Sequence, residues 1–127
     1  MSDETELLEL SQQLLDSIDQ LDWDTYERLC DPTLTAYEPE AIGTLVEGMP
    51  FHQFYFKLPG GGGPRRSNIH EPHVRLMGDS AVVCYIRVVQ KVDADGVPVS
   101  AACEETRVWQ KQDGQWRHVH FHRSPVG

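Results

Sequence analysis

The chain has 127 residues, a net charge of −9, and is 39% hydrophobic and 24% charged. That size and balance suit one compact domain over residues 1–127 with a core of its own, and the acidity argues against broad nucleic-acid binding or attachment to an anionic membrane. No stretch approaches the ~20 apolar residues of a membrane span, the start "MSDETELLEL" lacks the basic-then-apolar order of a signal peptide, and three scattered cysteines, Cys30, Cys84 and Cys103, point to reduced thiols in a cytoplasmic protein.

The first element expected is a helix over Asp3 to Gln20. Leu7, Leu10, Leu14, Ile18 and Leu21 recur at spacings of three and four, and Leu8 and Leu15 widen the stripe. Asp3 and Glu6 suit its first turn as a capping pair. A second helix is expected from Trp23 to Cys30, capped by Asp22 and ended by Asp31-Pro32, because proline disfavours a helical residue before it. "TLTAYEPEA" reads as a short strand broken by Pro39, "TLVEG" as a further extended piece, and the aromatic "MPFHQFYFKL" as a short helix closing over the core.

"LPGGGGPRRS" reads as a flexible loop. A phosphate-binding loop would follow its glycines with lysine and Ser/Thr at a helix start, whereas arginines and a strand pattern follow here. Four strands are then expected. "NIHEPHVRLM" is interrupted at Pro72 by a bulge or edge. "SAVVCYIRVVQKV" follows a Gly78-Asp79 turn. "VPVSAACEETRVWQK" follows "DADG", and "QWRHVHFHR" follows the hairpin turn Asp113-Gly114. Two helices before an antiparallel meander give an α+β class, with one sheet face buried under the first helix.

Side chains alternate along a strand. Arg87 then shares a face with Val83, Tyr85 and Val89, Arg107 with Cys103, Glu105 and Trp109, and Arg123 with Val119 and Phe121. Adjacent strands would bring three guanidinium groups to one cavity. Two readings stay open. Glu38, Glu40, Glu104 or Glu105 could satisfy them as structural ion pairs, since an unpaired buried arginine is costly. Alternatively their joint field receives an anion, for which the planar guanidinium fork fits a carboxylate. His118, His120 and His122 alternate onto one face, but three ligands along one strand rarely converge, so a polar outer face or a subunit contact is expected and no metal or other cofactor. No G-x-S-x-G or H-E-x-x-H motif occurs, and no cysteine has a histidine beside it in sequence to activate it.

The stretches "CDPTLTAYEPEAIGTLVEGMPFHQFYF", "HVRLMGD", "YIRVVQ", "EETRVW", "DGQW" and "VHFHRS", in this order, cover nearly all of Leu7 to Ser124. They resemble the association, or hub, domain of calcium/calmodulin-dependent protein kinase II. The resemblance implies a nuclear-transport-factor-2-like cone, with a long N-terminal helix packed in a curved antiparallel sheet. It implies an oligomerisation module that self-assembles into two stacked rings, with kinase subunits carrying a similar domain as further partners. It also implies a pocket for small carboxylates, whose arginines fall on Arg87, Arg107 and Arg123 and whose histidine falls on His52. This chain departs from the family at "KLPGGGGPRR", where the family has a tryptophan near the pocket mouth, and it shows no kinase or calmodulin-binding segment. The expected function is a non-catalytic scaffold that binds a carboxylate. The alternative is an isomerase or dehydratase on the same cone, for which Tyr85, Glu105 and His52 are the candidate groups.

Overall fold

A computed structural model of the protein describes residues 2–59 and 63–126. The first helix, α1 (Asp3–Asp19), is capped by Ser2, whose side chain accepts from the Thr5 backbone N–H; Asp3 stands one position inside the helix rather than at its cap. Leu7, Leu14 and Leu15 are fully buried, with Leu8, Leu10 and Ile18 packed beside them. The expected stripe is therefore the face that meets the sheet. α2 (Trp23–Leu29) has Asp22 as its cap. It stops one residue earlier than the sequence suggests, because Cys30 already belongs to strand β1 (Cys30–Tyr37). Cys30 pairs with His118 across the sheet, and that distant partner decides the boundary.

Pro39–Ala41 make a single 3₁₀ turn, β2 (Val46–Glu47) is a two-residue strand, and α3 (Pro50–Phe56) is the short aromatic helix. Of the glycine loop, Gly60, Gly61 and Gly62 lie outside the described residues. The meander follows as β3 (Arg65–Met77), β4 (Ser80–Val92), β5 (Pro98–Gln112) and β6 (Gln115–Pro125). The sheet order is β2-β1-β6-β5-β4-β3. β3 to β6 are antiparallel neighbours, as expected. β1 lies parallel to β6 and antiparallel to β2. α1 packs across β3, closing the concave side.

Two turns behave as their residues demand. Gly78 opens its turn with φ +62°, and Asp113 and Gly114 both have positive φ, 52° and 79°, the geometry that matches the right-handed twist of a two-residue hairpin. The bulge at Pro72 is present: the β3–β4 register shifts between His70 and His73. A second bulge was not legible. The β5–β6 register shifts between Val108 and Trp109, so Trp109 faces His118 while Val108 faces His120. Val119 is the extra residue, and strict alternation fails there. His118 turns inward and is fully buried. His120 and His122 turn outward, where they pack near Tyr37. The three histidines therefore do not share a face.

Candidate functional site

The concave face holds a chain of charged and polar side chains. On β4 and β5, Tyr85 stands opposite Glu105 and Val83 opposite Arg107. On β5 and β6, Glu105 stands opposite Arg123 and Arg107 opposite Phe121. Glu105 is buried and accepts from four donors. Its Oε1 takes Tyr85 Oη at 2.6 Å and Arg107 Nη2 at 2.9 Å. Its Oε2 takes Arg87 Nη1 at 3.3 Å and Cys103 Sγ at 3.7 Å. Burial alone would raise the Glu105 carboxyl, but the positive charges of Arg107 and Arg87 outweigh it and hold the pKa at about 2.

Arg107 is the hub of this network. Its Nε donates to Tyr85 Oη at 2.7 Å, its Nη1 to His118 Nε2 at 3.3 Å, and its plane lies 4.6 Å over the Phe121 ring. A guanidinium has no acceptor, so His118 Nε2 must accept and its proton sits on Nδ1. That nitrogen faces Cys30 Sγ at 3.4 Å. Burial, then the charge of Arg107, holds His118 neutral, well below its ordinary range. Burial pushes the Cys30 thiol up to about 12. This cysteine–histidine pair is inert structure, because a nucleophile needs an accessible thiolate.

Arg87 is shared between two carboxylates. Its Nη2 reaches Asp19 Oδ1 at 3.4 Å, and its Nε donates to Ser67 Oγ at 3.0 Å. Asp19 also accepts from Arg65 Nε at 3.0 Å. Asp19 ends α1, where a negative charge opposes the helix dipole; two arginines offset that cost. Arg123 does not use Glu105, its cross-strand neighbour. It holds Glu40 through a two-oxygen contact. Of the acids expected to pair the arginines, Glu105 and Glu40 do so, whereas Glu104 points outward and Glu38 takes none.

Arg65, Arg87, Arg107 and Arg123 line one cavity of ≈ 440 Å³, together with His52, Glu38 and Glu40. Tyr26, Phe56 and Phe121 give it an apolar wall. The three arginines and the histidine singled out in the sequence thus meet in one place. Tyr85 and Glu105 stand behind the arginines and brace them. His52 comes from α3 and is only 5% exposed. Its Nε2 has no hydrogen-bond partner among the described residues. Burial and then Arg107 lower its pKa to about 4, so the ring is neutral.

Sequence reasoning missed Asp19 and Arg65, and it considered Glu38 only as a partner for the arginines. The Glu38 side chain is 7% exposed, and its nearest basic group is His52 Nδ1 at 3.9 Å, beyond hydrogen-bond reach. Burial, followed by the charge of Glu40, raises its pKa to about 7. A glutamate beside a 3₁₀ turn carries no local mark of this, since the burial comes from α3 and β6 folding over it. Among the described residues no group of three or more His, Cys, Asp or Glu side chains is placed to hold a metal ion. All three cysteines are free thiols, and no described helix is long and apolar enough to cross a membrane.

Comparison with known proteins agrees with this architecture. The family model of the calcium/calmodulin dependent protein kinase II association domain matches residues 3–127. The delta subunit of rabbit calcium/calmodulin-dependent protein kinase type II is 48% identical over 122 residues, which is 94% of this chain. The chain spans only 23% of that kinase's length. The hub homology domain from Chlamydomonas reinhardtii is 47% identical, with a TM-score of 0.93 over 99% of this chain and 100% of that one. A nuclear transport factor 2-like protein from Salmonella enterica, 24% identical, shares the fold with a TM-score of 0.80 over 97% of this chain and 90% of that one. The chain belongs to the calcium/calmodulin-dependent protein kinase II association-domain family, built on the nuclear-transport-factor-2-like cone.

Proposed function

We propose that this protein is a ring-forming oligomerisation hub in the cytoplasm whose cavity binds a small carboxylate. The observation that carries the assembly reading is strand β4. Its inner row, Ala81, Val83, Tyr85, Arg87 and Val89, is buried against the core. Its outer row, Ser80, Val82, Cys84, Ile86 and Val88, carries no charge at all and remains partly exposed. Strands apolar on both faces are typical of sheets covered on both sides. Among the described residues no helix packs on the outer side of β4, so a second copy is the natural cover. Closed cyclic or dihedral symmetry would repeat the contact, burying upwards of ~2,000 Å² in each obligate interface. Native mass spectrometry should show a homo-oligomer of about a dozen or more subunits in stacked rings, the family's architecture applied under a closed point group. A stable monomer at micromolar concentration would refute this. Kinase subunits bearing a similar domain are the partners this assembly suits, tested by co-purification of mixed rings.

The carboxylate reading draws on His52 Nε2, a buried polar atom without a partner that lines the arginine cavity. Arg123 is the residue to test, because it lines the cavity with a partly exposed side chain and a single acidic partner. A hydrogen bond to a charged group contributes about 1.5–3 kcal/mol, so Arg123→Ala should weaken butyrate by about tenfold to a hundredfold. Lysine should not fully restore it, lacking the two-pronged geometry. Equal affinities in titration calorimetry, with assembly intact, would return Arg123 to a purely structural role.

One observation favours the isomerase or dehydratase alternative: Glu38, with a pKa of about 7, is poised as a base. Such chemistry also needs an acid facing it. Tyr85 is committed, donating to Glu105 and accepting from Arg107, and His52 is neutral. Binding without turnover is the better account.

A further inference from the structure

The charges around the cavity are paired almost completely. Arg65 and Arg87 share Asp19, Arg87 and Arg107 share Glu105, and Arg123 holds Glu40. Four arginines thus answer three carboxylates, and Glu38 is the fourth. With Glu38 ionised, the set is neutral and offers an entering anion no net positive charge. With Glu38 protonated, the set carries one excess positive charge. Among these acids only Glu38 has no arginine contact, so it is the one that can take up a proton without breaking an ion pair.

We propose that anion entry into this cavity is coupled to proton uptake at Glu38, so that the site binds a small carboxylate together with a proton. The proposal rests on the carboxylate-binding reading above. Every element around Glu38 contributes to its field. Glu40, on the adjoining 3₁₀ turn, repels its ionised form, and Arg123 on β6 attracts it. Arg107 and Glu105 on β5 act from behind in opposite senses. His52 on α3 faces it as a neutral ring. Tyr26 on α2 lies within the same field and stays protonated, since burial raises its hydroxyl further. Arg87 on β4, Arg65 on β3 and Asp19 on α1 close the far side as an already balanced group. An anion seated between the arginines and His52 adds a second negative charge beside Glu38, which raises its proton affinity again. Burial of Glu38 already brings its titration to about 7, within reach of ordinary pH changes.

The test is calorimetric titration of the assembled protein with propanesulfonate, a strong-acid anion that cannot carry its own proton, and with butyrate. Runs at about pH 6 and about pH 8, in buffers of different ionisation enthalpy, count protons directly. Expected are uptake of about one proton per anion on the alkaline side, and affinity falling by about tenfold per pH unit above the transition. Glu38→Gln should take up none and bind at about pH 8 as tightly as the wild type does at about pH 6. The proton count needs only the wild type, so it stands even if the variant folds poorly. Binding without proton uptake would overturn the coupling while leaving the carboxylate site in place. Uptake that persists in Glu38→Gln would assign the proton to His52 and also overturn it. Absence of binding by either anion at both pH values would overturn the coupling and the carboxylate reading together.

Discussion

Arg107→Ala removes the centre of the buried network, and its effect can be worked from two directions. Structurally, the substitution deletes the donors to Glu105 Oε1, Tyr85 Oη and His118 Nε2 and leaves Arg87 as the remaining cation on Glu105. Breaking a buried pair by removing one partner costs about 3–5 kcal/mol; the surviving arginine argues for the lower end. Electrostatically, the Glu105 pKa is held at about 2 against a reference of 4.5. That difference corresponds to roughly 3 kcal/mol at 1.36 kcal/mol per unit. A folded-state pKa depressed below the unfolded value contributes stability that is complete above the unfolded value and is lost as pH falls through the interval. The wild type should therefore lose this contribution between about pH 4.5 and about pH 2. In Arg107→Ala the Glu105 pKa rises towards the reference, so this acid loss is smaller and is complete at a higher pH. The assay is thermal unfolding followed by calorimetry at matched concentration over a pH series, with assembly state recorded. A melting temperature lowered by on the order of 10 °C at neutral pH is expected. A shift under ~2 °C, with the acid limb unmoved, would refute the view that Arg107 holds this network together.

Three further outcomes follow from single features. Ile42 is 88% exposed and held at φ 50°, a left-handed conformation that costs a β-branched residue roughly 1–2 kcal/mol; Ile42→Gly should raise the melting temperature by a few degrees, and a lowered one would contradict the strain. Glu38 has a folded pKa raised to about 7, so ionising it destabilises the fold as pH climbs through the interval above the ordinary carboxylate range; Glu38→Gln should be more stable than wild type at about pH 8, by ~1–2 kcal/mol after discounting for water in the cavity, and equal to it at about pH 4, with equal stability at both as the contrary result. Maleimide labelling near neutral pH should leave Cys30 untouched in the folded protein, because burial raises its thiol to about 12. Cys84, on the outer face of β4, should label only when subunits are separated; rapid labelling within an intact ring would remove that face from the interface.

The sequence by itself determined those elements whose signals are local. The leucine spacing of α1, the turns at Gly78-Asp79 and Asp113-Gly114, the bulge at Pro72 and the inward placement of Arg87 and Arg107 all depend on residues near one another in the chain, where steric and periodic rules apply directly. The family resemblance assigns Arg123 and His52 to the same cavity, which both line. Only the tertiary structure decided the rest. The extra residue at Val119 is a register count between two strands, invisible to the alternation of either one, and it alone sends His118 inward to Arg107 while His120 and His122 face out. The parallel pairing of β1 with β6 ends α2 at Leu29 through a partner 88 residues away. Asp19 reaches Arg87 across 68 residues and Arg65 across 46. Glu38 has a carboxylate's ordinary chemistry in sequence; α3 and β6, both distant in the chain, fold over it, withdraw water from it and leave it, among the described residues, as the acid of the cavity without an arginine contact.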